Sequence, residues 1–151
     1  MVFELVRITE EGLPATPIAE LPRDVAENCA GTAVLLRRTG YALPWVGYVA
    51  AADGRAVGGG AFVGPPQNNL VEIAYYTLPE FEGRGYASRT AAELVAIARR
   101  EQPGIVIRAF TLPAPGASTR ILERTGFRWF GDATDPDAGP VWEWRTQEEL
   151  A

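Results

Sequence analysis

The chain has no histidine, and cysteine and methionine occur once each among its 151 residues. Without histidine, the commonest general base and metal ligand are missing. A Ser-His-Asp or Cys-His nucleophilic site cannot be built within this chain. One cysteine and no histidine leave no ligand set for zinc, so no metal is expected. Any base must be an aspartate, a glutamate, a tyrosine or a water held by one of them. Cys29 has no partner for an internal disulfide, which fits a reducing compartment. It lies on an apolar helical stripe, where a lone cysteine is a core residue. No apolar run is long enough to span a bilayer, so no membrane partner is expected. The opening Met1 to Arg7 has neither the basic region nor the apolar run of a secretory leader, and a cytoplasmic location is expected. The net charge of −5 lacks the basic surface that nucleic acids need, so no nucleic-acid partner is expected. That charge keeps a cytosolic protein soluble, and it favours cationic partners such as amines.

What is present describes an ordinary globular protein. The length suits one domain spanning residues 1–151, and such a chain can bury a core without disulfides. Sixteen glycines and twelve prolines imply many turns. Val2 to Ile8 reads as a strand. Pro22 to Arg38 reads as a helix, with Leu21, Val25, Cys29, Ala33 and Leu36 three or four residues apart, and Gly31 is a point at which it could divide. Val46 to Ala51 and Ala56 to Val63 read as a hairpin around Asp53-Gly54, and Leu70 to Leu78 continues the meander. Tyr86 to Arg100 is helical, with Ala87, Ala91, Leu94, Val95 and Ala98 on one stripe. Gly104 to Phe110 is a strand, and Ala117 to Arg124 a short helix stopped by Gly126. Phe127 to Gly131 and Pro140 to Arg145 are final strands, joined by the turn-rich Asp132 to Gly139. One strand–helix–strand crossover implies a parallel pair within a mostly antiparallel α/β sheet.

The junction Pro79-Glu80-Phe81-Glu82-Gly83-Arg84-Gly85-Tyr86-Ala87-Ser88 connects a strand to a helix. Such a loop aims unpartnered backbone N–H groups, and the positive end of the helix dipole, at one point. That arrangement suits phosphate. Gly83 and Gly85 permit unusual dihedrals and close approach, and Arg84 adds donors.

These elements, in this order, resemble the GNAT family of N-acetyltransferases, more closely its RimJ/RimL-like branch. The family's acyl-CoA signature, Gln/Arg-x-x-Gly-x-Gly/Ala, stands here as Glu82-Gly83-Arg84-Gly85-Tyr86-Ala87. The run Ala117 to Phe127 is similar to its Asn-x-x-Ser-x-x-x-Leu-x-x-x-Gly-Phe element. Glu82 replaces the usual Gln or Arg, Pro115 replaces the Asn, and Leu122 stands where many relatives carry a tyrosine acid. The resemblance implies a mixed, mostly antiparallel central sheet (α+β) with helices on both faces. It also implies acetyl transfer from acetyl-CoA to a primary amine, a small molecule or a protein N-terminus, by direct attack in a ternary complex. The alternative is a non-catalytic acyl-CoA-binding or regulatory module with the same fold.

On that resemblance the cofactor-binding residues are Tyr75, Tyr76 and Thr77 on the strand, with Gly83, Arg84, Gly85, Tyr86, Ala87 and Ser88 after it. Glu72 is the leading candidate base, directly or through water; its other reading is a solvent-facing or arginine-paired strand residue. Ser118 is a candidate to protonate the leaving thiolate, or else a first-turn helix residue capping backbone N–H. Tyr48 and Glu143 are candidate acceptor contacts; such residues also fill a sheet face or edge. The sequence leaves the oligomeric state open, with a homodimer one candidate because dimers are the commonest assembly among soluble oligomers.

Overall fold

The computed structural model describes residues 1–147. Seven strands form one sheet: β1 (Phe3–Arg7), β2 (Gly47–Ala52), β3 (Arg55–Phe62), β4 (Leu70–Thr77), β5 (Val106–Thr111), β6 (Phe127–Asp135) and β7 (Gly139–Thr146). Their spatial order is β1-β2-β3-β4-β5-β7-β6. Every neighbouring pair is antiparallel except β4 and β5. The helices are α1 (Arg23–Thr39), α2 (Tyr86–Glu101) and α3 (Ala117–Arg124), with a 3-10 turn at Pro79–Phe81. The mixed, mostly antiparallel sheet with a single parallel pair is as expected. No helix among the described residues is long and apolar enough to cross a membrane.

Strand side chains alternate between faces, so each helix claims one parity. Val49 and Ala51 of β2 pack with Val25 and Cys29 of α1. Ala50 and Ala52 lie on the opposite face, towards Tyr86 at the start of α2. The stripe Val25, Cys29, Ala33 and Leu36 is the buried face of α1, and Gly31 sits exposed in an unbroken helix. Gly31 therefore does not divide it: its side faces solvent, and the apolar stripe on the other side holds the turns together. In α2 the buried residues are Thr90, Ala91, Leu94, Val95 and Ala98.

Glycine in β3 sets how close α2 and β4 can come. A Cβ at Gly60 would lie 2.8 Å from Leu94 Cδ1, and one at Gly58 would lie 2.2 Å from the Tyr76 carbonyl oxygen. Only hydrogen fits at Gly58, where the obstructing atoms are backbone, whereas at Gly60 the side-chain ends of Leu94 and Thr90 would have to shift.

The last hairpin is longer than its composition suggests. Residues 132–135 belong to β6, and the turn is confined to residues between Asp135 and Gly139. The Asp135 carboxylate accepts hydrogen bonds from the Asp137 and Ala138 N–H groups (2.9 and 2.8 Å), which closes the turn and holds this carboxyl below its usual range.

Candidate functional site

The parallel pair holds for only three rungs: Leu70 with Val106, Val71 with Ile107, and Glu72 with Arg108. Beyond Glu72 the two strands part. β4 continues to Thr77 paired only with β3, which leaves its other backbone edge without a β5 partner. The end of β4 beyond the fork lines a cavity of about 650 Å3. Its walls are Tyr75, Tyr76 and Thr77 of β4, the loop residues Phe81, Glu82, Gly83 and Gly85, the first turn of α2, and one side of α3.

The loop conformation follows from its glycines. Gly83 and Gly85 have φ of 77° and 84°, and Gly85 is the residue that caps α2. No side chain caps this helix. Its first internal hydrogen bond runs from the Arg89 N–H to the Gly85 carbonyl at 3.1 Å. The N–H groups of Tyr86, Ala87 and Ser88 precede that bond and have no partner within the helix. All three residues line the cavity. Tyr86 is held there by a stacked contact with Phe3 and an edge contact with Phe81, each at 6.3 Å between ring centroids.

Thr77 Oγ1 is buried in the same wall and has no hydrogen-bond partner among the described residues. Burial pushes the phenols of Tyr75 and Tyr76 up to about 12, so both stay protonated, and able to donate, at neutral pH.

Most of the expected cofactor residues therefore meet in one cavity: Tyr75, Tyr76, Thr77, Gly83, Gly85, Tyr86, Ala87 and Ser88. Arg84 is placed elsewhere. Its guanidinium lies over the Phe81 ring, 5.6 Å from the centroid, and does not line the cavity. Positive charge comes instead from Arg120 and Arg124 of α3, which line the cavity together with Glu82. Nothing local in the sequence marks these two arginines, because α3 reaches the loop only by packing beside α2.

Ser118 also lines the cavity. The first-turn capping expected as its alternative role is performed by its neighbour. Thr119 Oγ1 accepts the Gly116 N–H at 3.0 Å and donates to the Gly116 carbonyl at 2.9 Å. Leu122 is fully buried in the core.

Glu72 lies on the other side of the fork, lining a second cavity of about 520 Å3 with Arg108 and Arg145. Its Oε1 is 3.5 Å from Arg108 Nε, so the arginine-paired reading describes its contact. Burial raises its carboxyl above the usual 4.5, against the pull of Arg108, and the charges of Asp135 and Glu143 raise it further. Glu143, only 13% exposed, is hydrogen-bonded to Arg145 Nε. Tyr48 lines neither cavity: it is 8% exposed, and its hydroxyl donates to the Pro44 carbonyl at 2.7 Å. Its ring packs edge-on against Phe62 in the core.

A model of the acetyltransferase (GNAT) domain matches residues 11–128. The chain belongs to the GNAT family. Among solved structures, this GNAT chain is similar to the apo form of RimL, a ribosomal L7/L12 alpha-N-protein acetyltransferase. The identity is 18% over 100% of this chain and 96% of that one, with a TM-score of 0.70. RimL in complex with coenzyme A aligns at 19% identity over 83% of this chain and 72% of that one, TM-score 0.66. The yncA protein of Salmonella typhimurium, solved with its cofactor acetyl-CoA, aligns at 20% identity over 100% of this chain and 96% of that one, TM-score 0.66. At such identities the likeness is one of fold. No curated protein matches the sequence.

Proposed function

We propose that the chain is a single N-acetyltransferase domain that moves the acetyl group of acetyl-CoA to a primary amine by direct attack. The observation that carries this reading is the fork: β4 leaves β5 after Glu72, and the end of β4 beyond it, Tyr75 to Thr77, lines a cavity that also takes in the first turn of α2 with its unpartnered N–H groups. The coenzyme bound in the RimL and yncA structures supports the choice of ligand.

In this reading the diphosphate rests on the N–H groups between Gly83 and Ser88, with Arg120 and Arg124 offsetting its charge and that of Glu82. The pantetheine arm lies along the free edge of β4 and pairs with it much as an added strand would. Thr77 Oγ1 offers it a further polar contact. The acetyl group then lies near the point where the strands part. An N–H of the free β4 edge stabilises the oxyanion that develops on the thioester carbonyl.

The acceptor enters from the side of Glu72. Its ammonium gives one proton to the Glu72 carboxylate, directly or through water, and the freed nitrogen attacks the thioester carbon. A C–N bond forms, the C–S bond breaks, and the nitrogen, still carrying two protons after the attack, releases the second to water as the amide forms. Ser118 supplies a proton to the departing thiolate, and its exposed position allows water to restore that proton.

The test is release of CoA thiol from acetyl-CoA over a panel of primary amines. Release that depends on an amine, with an acetylated product of matching mass and loss of rate in Glu72→Gln, is expected. Acetyl-CoA binding without release on any amine would make the protein a non-catalytic acyl-CoA-binding module.

A further inference from the structure

One cross-strand row on the Glu72 side of the sheet carries an unusual set of charges. Glu72 of β4 is directly opposite Arg108 of β5, Arg108 is opposite Arg145 of β7, and Arg145 is opposite Arg128 of β6. Directly paired residues present their side chains on the same face, and like charges so placed destabilise a sheet. Three adjacent arginines therefore need a reason other than folding.

Their hydrogen bonding leaves that reason open to a ligand. Arg108 turns Nε towards Glu72 at 3.5 Å, and Arg145 turns Nε to Glu143. Their guanidinium groups lie over rings, Arg145 Cζ 3.7 Å from the Phe130 centroid and Arg108 Cζ 5.4 Å from that of Phe110, which leaves the edges of the guanidinium planes for hydrogen bonds. Among the described residues, the Nη groups of these two arginines make no hydrogen bond. Both side chains and Glu72 line the same cavity of about 520 Å3, at the closed end of the fork.

We propose that the acceptor is a zwitterion of the amino-acid type, carrying a carboxylate within a few bonds of the amine that is acetylated. Its ammonium faces Glu72, and its carboxylate bridges the free Nη groups of Arg108 and Arg145. A carboxylate and a guanidinium side by side present the complement of such a head group, and planar guanidinium forks match a carboxylate better than a point charge does. Arg128 extends the row at its exposed end and adds long-range attraction. The proposal rests on the acetyltransferase reading, and its test separates the two.

The test compares three forms of the same acceptor at saturating acetyl-CoA: the amino acid, its carboxamide and its decarboxylated amine, with alanine, leucine and phenylalanine as parents. Rates are taken per unprotonated amine. For at least one parent, kcat/KM for the free acid exceeds both other forms by roughly tenfold to a hundredfold, the worth of a charge-assisted hydrogen bond. In Arg145→Gln, and less fully in Arg145→Lys, that preference shrinks towards unity. Equal or higher rates for the amide or the decarboxylated amine would overturn this proposal while leaving the acetyltransferase reading intact. If no form of any parent is acetylated, binding decides, read as thermal unfolding in the presence of CoA. An amino-acid stabilisation that Arg145→Gln abolishes supports the proposal, and no stabilisation by any of them overturns it.

Discussion

Glu72 and Arg108 face each other at the last rung before β4 and β5 part, 3.5 Å from carboxylate oxygen to guanidinium nitrogen. The pair marks the point where the sheet changes role. On one side of the rung the strands hold each other; on the other, β4 has a free edge that opens on a cavity. The pair also poses a contest for the Glu72 proton, which burial and the nearby Asp135 and Glu143 win against Arg108.

That contest has a measurable sign. The folded carboxyl is raised above its unfolded value, so the stability it confers is full below about pH 4.5 and is lost as pH rises through the folded value. Glu72→Gln mimics the neutral acid. Its Tm, relative to wild type, should increase from pH 4 towards neutrality and then level off. A difference that falls over the same range would mean that Arg108 dominates. The same variant should lose roughly 10²–10⁴-fold in kcat/KM, along with the acidic limb of the pH–rate profile.

Gly85→Ala tests the loop. Its φ of 84° is strained for any residue with a Cβ, although the space around it is open. The cost to stability should be about 1–3 kcal/mol. Relief of that strain would turn the N–H groups at the start of α2, so acetyl-CoA affinity should fall as well. Calorimetric titration of the folded variant checks this; unchanged affinity would remove the loop from the binding site.

Gly58→Ala and Gly131→Ala form a controlled comparison. At Gly58 the new Cβ meets the Tyr76 carbonyl at 2.2 Å and Thr77 Cα at 2.9 Å, both backbone atoms that cannot swing aside. Moving β4 away should cost about 1–3 kcal/mol or more. At Gly131 no atom lies within 4 Å, and the change should stay within about 0.5 kcal/mol. Denaturant unfolding of the two variants reads both values, and equal effects would refute the close packing of β3 on β4.

Features written in local spacing were legible in the sequence. The stripes of α1 and α2 follow helical period, and Gly83 and Gly85 mark the strand-to-helix loop. Features made by pairing between distant segments were not. Glu72, Arg108, Arg128 and Arg145 share one row only because four strands adopt a particular register. Arg120 and Arg124 reach the loop through the packing of α3 beside α2. Arg84 shows the reverse: its place in the motif suggested a phosphate contact, but the adjacent Phe81 ring takes the guanidinium. Tyr48 is a candidate acceptor contact by residue type, but strand parity sends it into the core. The hairpin of β6 and β7 is longer than its composition predicts, because Asp and Pro near its tip resemble a loop whereas the Asp135 carboxylate closes a tight turn there.

The most direct test of the central claim, that the fork is an acyl-CoA site, is thermal unfolding with saturating acetyl-CoA, CoA, ATP and NAD in parallel. A ligand at about 100 times its Kd adds roughly 2.7 kcal/mol, which is about 5–10 °C for a domain of this size. That shift is expected for acetyl-CoA and CoA, with little from NAD or ATP. No shift with acetyl-CoA, or a larger one with ATP or NAD, would contradict it.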